Sequence, residues 1–207
     1  MTKPTEHFNS AAETWDSEET IHRTSVFAAA IKKHLIDHKI NNLLDFGCGT
    51  GLLTEHFLDS SSSLTGIDTS VGMLEKFNRR FQHQDHVKSL AGNVEDESMS
   101  EIDESYDVIM SSMAFHHLKD PKKVLKLFKK YLAPNGKIFI IDLDEEDGTF
   151  HPDNKGMGVE HFGFSQKEFQ TWANELGFKK FSYEIVFEMN KNQRSYGIGL
   201  AIFEDSK

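Results

Sequence analysis

Between Leu43 and Gly51 the chain reads LLDFGCGTG, and Gly47, Gly49 and Gly51 alternate with other residues where an apolar run gives way to Leu52, Leu53, His56 and Phe57. This order predicts strand, glycine turn and helix. Glycine at such a junction lets the backbone turn sharply and come close to a ligand, because no Cβ intervenes, and the helix start leaves backbone N–H groups without intrahelical acceptors. The stretch therefore reads as a ligand cradle.

The residues around the glycines narrow the ligand. A dinucleotide-binding turn has the spacing GxGxxG, with its third glycine allowing helix and strand to pack closely. Here the third glycine comes one residue early, and Leu52 holds the place it would take. Asp45, just before the first glycine, is unfavourable beside a pyrophosphate and suits a cationic ligand. Asp68 ends the next apolar run, LTGID, at a spacing suited to the two hydroxyls of an adenosine ribose.

At these residues the chain resembles the class I S-adenosylmethionine-dependent methyltransferases, in their small-molecule branch. DFGCGTG matches their first motif and Asp68 matches their ribose-binding acid. The resemblance covers nearly the whole chain. It implies an α/β fold, a Rossmann-like three-layer sandwich whose seven-stranded, mostly parallel sheet ends in a C-terminal antiparallel hairpin. It also implies S-adenosyl-L-methionine as cofactor, held by Asp45, Gly47, Cys48, Gly49, Gly51, Asp68, Thr69, Met73, Asn93, Val94 and Ser111. Met73 stands where the family packs a hydrophobic residue on the adenine ring, a role that a flexible thioether can fill. Asn93 stands where the family usually has an acid, and it can still donate and accept hydrogen bonds. An N-P-P-Y type motif, which adenine-N6 and related amino methyltransferases carry after the fourth strand, is absent from the Ser111–Leu118 segment.

A length of 207 residues predicts one domain spanning 1–207, with residues 1–38 as a capping segment and 145–163 as an active-site lid. The formal net charge of -10 disfavours nucleic acid and anionic membrane as general partners. No apolar stretch reaches bilayer length, the first residues lack the apolar core of a secretory signal, and the single cysteine cannot form an internal disulfide. A cytoplasmic protein is expected. Cys48, flanked by glycines, reads as a small space-filling residue or as a reactive thiol.

Along the chain, polar and loosely ordered residues are expected until Phe8. Asp16 is placed to cap a helix carried by Ile21, Val26, Ala29, Ala30 and Leu35, and Trp15 is either a lid residue or a packing anchor. Ser70 caps a helix with Met73, Leu74, Phe77 and Phe81 on one face, and Asp120-Pro121 opens another whose lysines face solvent. Pro134-Asn135-Gly136 reads as a turn before the strand Lys137–Leu143, which Asp142 and Asp144 close. The irregular stretch after that strand is long enough to be functional, and its Phe150, Phe162 and Phe164 suit either an apolar substrate or core packing. Ser165 starts the last helix and Gly177 ends it. Two β-rich runs, Phe178–Met189 and Arg194–Phe203, then form a hairpin.

Methyl transfer from a sulfonium is an in-line displacement, so donor and acceptor must be aligned, water excluded, and a proton removed where the acceptor carries one. Alignment alone supplies on the order of 7–11 kcal/mol in favourable intramolecular cases, which makes a base optional. The candidate bases are His116, His117 and His161; neighbours on a helix point in different directions, so His116 and His117 do not both face one pocket, and His116 is the favoured one of the two. His161 lies in EHFGF, similar to an H-H-G-F segment of small-molecule methyltransferases, with Phe162 departing from it. The histidine spacings do not read as a metal site. Two other readings stay open: a nicotinamide-dependent oxidoreductase, which Leu52 opposes, and a cofactor-binding module without catalysis, which lacks its signature of a broken cradle.

Overall fold

The apolar run before the glycines forms β1 (Ile40–Phe46) in the computed structural model, which describes residues 4–93, 105–191 and 193–205. Leu43 to Phe46 are buried without interruption, the condition of a parallel strand covered on both faces. The remaining strands are β2 (Ser61–Asp68), β3 (Val87–Ala91), β4 (Tyr106–Ser112), β5 (Leu132–Leu143), β6 (Lys180–Lys191) and β7 (Arg194–Glu204). They stand in the order β3-β2-β1-β4-β5-β7-β6. The first five pair in parallel, and the hairpin of β6 and β7 joins antiparallel beside β5, as expected.

The helices are α1 (Pro4–Ala11), α2 (Glu18–Lys33), α3 (Leu52–Glu55), α4 (Val71–Arg80), α5 (Pro121–Tyr131) and α6 (Gln166–Leu176). Alternate strand residues feed two cores. Leu44, Phe46, Ile109 and Ile140 pack with Phe128 of α5 and Phe169 of α6. Leu43, Val108, Phe139 and Ile141 pack with Phe27 and Ile31 of α2 on the other face. Three layers result. Cys48, Leu74, Phe77 and Phe81 form a smaller cluster under α4.

Most helix boundaries follow their capping residues. Ser70, Asp120 and Ser165 each accept a hydrogen bond from the backbone three residues on, and Gly177 ends α6 in a left-handed conformation. Four local expectations change. Residues from Pro4 are helical, not loosely ordered. The cap of α2 is Ser17, accepting from Thr20 N, while Asp16 is drawn away to Arg80 and Thr50. The inner face of α2 is Thr24, Phe27, Ala28, Ala30 and Ile31, with Ile21 exposed, because α2 must cover both the sheet and a cavity. The Pro134–Gly136 turn lies within β5 as an irregularity, with Asn135 at φ 65° and a register shift opposite Tyr106–Val108.

Strand order reverses between β1 and β4, so loops at their carboxyl ends part and leave a crevice, the usual ligand position of an open α/β sheet. Among the described residues no helix is long and apolar enough to cross a membrane.

Candidate active site

At the crevice the backbone leaves β1 through Gly47, Gly49 and Gly51, all at positive φ. A Cβ on Gly47 would stand 2.5 Å from Cβ of Ala114, so the segment following β4 presses against the turn and only glycine fits. The amides of Gly47 and Cys48 donate to Ile67 O at 2.8 and 3.1 Å, fastening the turn to β2. The Gly49 amide donates to the Asp68 carboxylate at 2.9 Å, and the Ser70 amide donates to its other oxygen at 2.8 Å. Burial raises the Asp68 carboxyl above its ordinary pKa against these hydrogen bonds. Each oxygen keeps further acceptor capacity for a ligand hydroxyl.

A cavity of about 610 Å³ lies above this turn, the size of pocket that encloses a cofactor-scale molecule. Gly47, Cys48, Gly49, Asp68, Thr69, Met73 and Asn93 line it from the cradle side. Phe8, Trp15, Arg23 and Phe27 line it from the N-terminal helices, and Met113, His117 and Glu160 from the far side. The N-terminal helices are fastened at several points. Asn9 accepts hydrogen bonds from Ser70 Oγ and Gly72 N at 2.7 and 3.0 Å, and Arg80 donates to Asp16, Glu55 and the Thr50 carbonyl at 2.6, 2.7 and 3.0 Å. Arg23 brings a cation to the cavity. Its Nε is buried without a hydrogen bond, and burial pulls the guanidinium below its ordinary pKa.

The far side is built on a single 3-10 turn, Phe115–His117, after Met113 at φ 54°. Asp142, buried near the end of β5, accepts from the amides of Phe115, His116 and Leu143 at 2.8, 3.3 and 2.7 Å. His116 Nδ1 lies 2.6 Å from the same carboxylate. Burial alone would raise the Asp142 carboxyl, yet His116 and the converging donors hold it below its ordinary value. His117 Nδ1 lies 3.0 Å from the Gly158 carbonyl, and burial, then His116, push its pKa down to about 4.

Not every expected site residue reaches the cavity. Asp45 lies beneath the turn, accepts from the Thr54 hydroxyl at 2.6 Å, and is pushed up to about 7, mainly by burial. Gly51 faces Phe77 and Phe81 instead, and Ser111 is buried while its neighbour Ser112 lines the cavity. Val94 lies outside the described residues. His116, favoured above as the base, is behind the wall at 1% exposure, and His117 takes the lining position, because the Asp142 carboxylate draws His116 inward. His161 is also off the cavity. Its ring packs 5.3 Å from that of Phe164, and its amide donates to the His116 carbonyl at 3.0 Å. Phe150 and Phe164 belong to the cores, Phe162 is exposed, and none of the three lines the cavity. Burial also pushes the Cys48 thiol up, away from the reactive thiolate.

Several lining residues were not singled out in the sequence. Arg23 carries a signal there, as a cation one turn before Phe27 on the inner face of α2. Off the cavity, the fold alone brings His151 to His116 and His117, with one nitrogen from each of the three within 4.8 Å of the others, and the sequence carries no signal of it.

The sequence matches the family described as Methyltransferase domain over residues 16–183. The chain therefore belongs to the class I S-adenosylmethionine-dependent methyltransferases, whose cofactor is S-adenosylmethionine. An uncharacterized methyltransferase of Schizosaccharomyces pombe is 34% identical over 138 residues, 59% of this chain and 47% of that protein. A malonyl-[acyl-carrier protein] O-methyltransferase of Anoxybacillus flavithermus is 30% identical over 146 residues, 70% of this chain and 53% of the enzyme. The match thus spans about half the length of these two relatives. Among solved structures, the N-methyltransferase NodS of Bradyrhizobium japonicum in complex with S-adenosylhomocysteine shares the fold at TM-score 0.73 and 16% identity, over all of both chains.

Proposed function

We propose that this methyltransferase moves a methyl group from S-adenosylmethionine to a small-molecule acceptor held in the same cavity. The observation that carries this reading is the cavity itself. One side has the glycine turn and the Asp68 carboxylate, the other has His117 and Glu160, and the N-terminal helices close over both. In this reading Asp68 accepts from the ribose hydroxyls, Gly47, Cys48, Gly49 and Thr69 contact the cofactor backbone-close, and Met73 and Asn93 meet the adenine. The Arg23 guanidinium, with an uncommitted Nε, pairs with a carboxylate of the ligand.

The acceptor enters beside Met113, His117 and Glu160, under residues 145–163 acting as a lid. A base is optional, and His117 is the imidazole on the cavity wall. With its pKa near 4 it is neutral at pH 7 and accepts a proton only weakly. Alignment and exclusion of water therefore supply most of the acceleration. The malonyl-carrier relative and NodS act on different acceptors by their names, so family membership leaves the acceptor open.

Calorimetric titration with S-adenosylhomocysteine tests the cofactor half. One site per chain is expected, weakened roughly 10- to 100-fold in Asp68→Ala, since a hydrogen bond to a charged group contributes about 1.5–3 kcal/mol. Transfer of labelled methyl from cofactor to the dialysable fraction of a cell extract tests the acceptor half. Label retained wholly on macromolecules overturns the small-molecule reading.

A further inference from the structure

The histidines on and behind the far side of the cavity have no role in the cradle. The ring centroids of His116 and His117 are 4.0 Å apart, those of His116 and His151 5.0 Å, and those of His117 and His151 6.0 Å. One nitrogen from each lies within 4.8 Å of the other two. We propose that His116, His117 and His151 bind a divalent transition-metal ion of the zinc, cobalt and nickel class, a site distinct from the cofactor seat.

Neighbouring groups fix which nitrogens of His116 and His117 are left free to ligate. The Asp142 carboxylate can only accept, so the His116 Nδ1 beside it carries the proton and Nε2 is left with its lone pair. The Gly158 carbonyl likewise can only accept, which puts the proton of His117 on Nδ1 and leaves Nε2 as the lone-pair nitrogen. His116 Nε2 and His151 Nδ1 are both buried without a hydrogen-bond partner, and His116 as a whole is 1% exposed. His116 and His151 thus each hold a buried ring nitrogen that no group among the described residues meets. A buried polar atom left so costs about 1–3 kcal/mol, which a cation ligated by these nitrogens removes.

The outer partners have the form that metal-bound histidines require. A ligating imidazole usually gives its other N–H to a carboxylate or a backbone carbonyl, which sets the tautomer and the ring orientation. Here Asp142 and the Gly158 carbonyl fill those two positions. Three neutral imidazoles are a donor set for zinc-class ions, and they leave one position of a tetrahedral ion for a non-protein ligand. Because His117 also lines the cavity, that position borders the acceptor side. Ligation at about 2.0–2.1 Å needs nitrogens roughly 3.4 Å apart, against present separations of no more than 4.8 Å.

Cobalt(II) is the probe, because a tetrahedral site gives visible d–d bands. Chelator-treated full-length chain titrated with cobalt should show bands that saturate at one ion per chain and are displaced by zinc. His151→Ala should weaken cobalt binding by at least about 10-fold, while His83→Ala, an exposed histidine outside the cluster, should leave it unchanged. Circular dichroism and S-adenosylhomocysteine titration of the same samples show that each variant is folded and that the cofactor seat is intact. The proposal is overturned by cobalt binding that does not saturate at one ion per chain, or by His151→Ala binding as tightly as the parent.

Discussion

Gly49 and Gly51 sit two residues apart in the same turn, both at positive φ, and alanine at each should have a different consequence. A left-handed conformation costs an L-residue roughly 1–2 kcal/mol, and both variants incur that. At Gly51 the new Cβ also meets Phe81 Cε2 at 2.5 Å and Phe77 Cδ2 at 2.9 Å. Those rings are buried and locked edge-to-face with centroids 4.7 Å apart, so they cannot turn away. Overpacking of this kind costs about 1–3 kcal/mol, and Gly51→Ala should lose about 2–5 kcal/mol in all. At Gly49 the nearest atom is Trp15 Nε1 at 3.9 Å, so the loss there is the conformational 1–2 kcal/mol alone. Equilibrium urea unfolding of the two variants measures the difference. The Gly49 Cβ, unlike that of Gly51, enters the cavity, so Gly49→Ala should weaken S-adenosylhomocysteine binding more. Equal stability losses, or a smaller loss at Gly51, would refute this division of the turn into a packed side and a ligand side.

Two other predictions concern charge. Asp45 is held near pKa 7 against an ordinary 3.8, so the native chain keeps a proton there that the unfolded chain has released. Stability should therefore fall as pH rises from about 4 to 7, by up to about 4 kcal/mol from this group, and level off above 7. Urea midpoints across that range should show a shallower fall for Asp45→Asn, and identical slopes would count against the buried carboxyl. Arg80 joins Asp16, Glu55 and Thr50 through partly exposed pairs. Arg80→Ala should change global stability by no more than about 1 kcal/mol yet speed amide exchange in residues 4–17. Unchanged exchange there would mean that other contacts hold the N-terminal helices down.

The sheet was legible because each of its signals is local: an apolar run, a glycine turn, a capping residue, a proline at the first helical position. Gly47, Asp68 and Met73 could be placed for the same reason, since strand and helix ends fix them relative to the crevice. The far side was not legible. Helical periodicity points His116 and His117 in different directions, but they occupy a 3-10 turn and their rings lie 4.0 Å apart. The choice between them is made by Asp142, which is 26 residues away in sequence. Asp45 was misplaced by a related omission. Its charge suggested a ligand, whereas Thr54, one turn into the following helix, satisfies it under the turn.

Asp142 does not line the cavity, yet the wall opposite the glycine turn depends on it. The parallel register that pairs Ser112 with Ile141 sets this carboxylate beside the 3-10 turn, where the amides of Phe115 and His116 bind it. With His116 so fixed, its carbonyl accepts from the amides of Glu160 and His161, and the next residue, His117, donates to the Gly158 carbonyl. The 145–163 loop is thereby fastened to the turn at three points, each made with its own backbone. At about 0.5–1.5 kcal/mol net for each bond, the three together hold the end of the loop against the turn by roughly 2–4 kcal/mol. The His117–Gly158 bond thereby ties the path of residues 158–161 to the orientation of the His117 imidazole on the cavity wall.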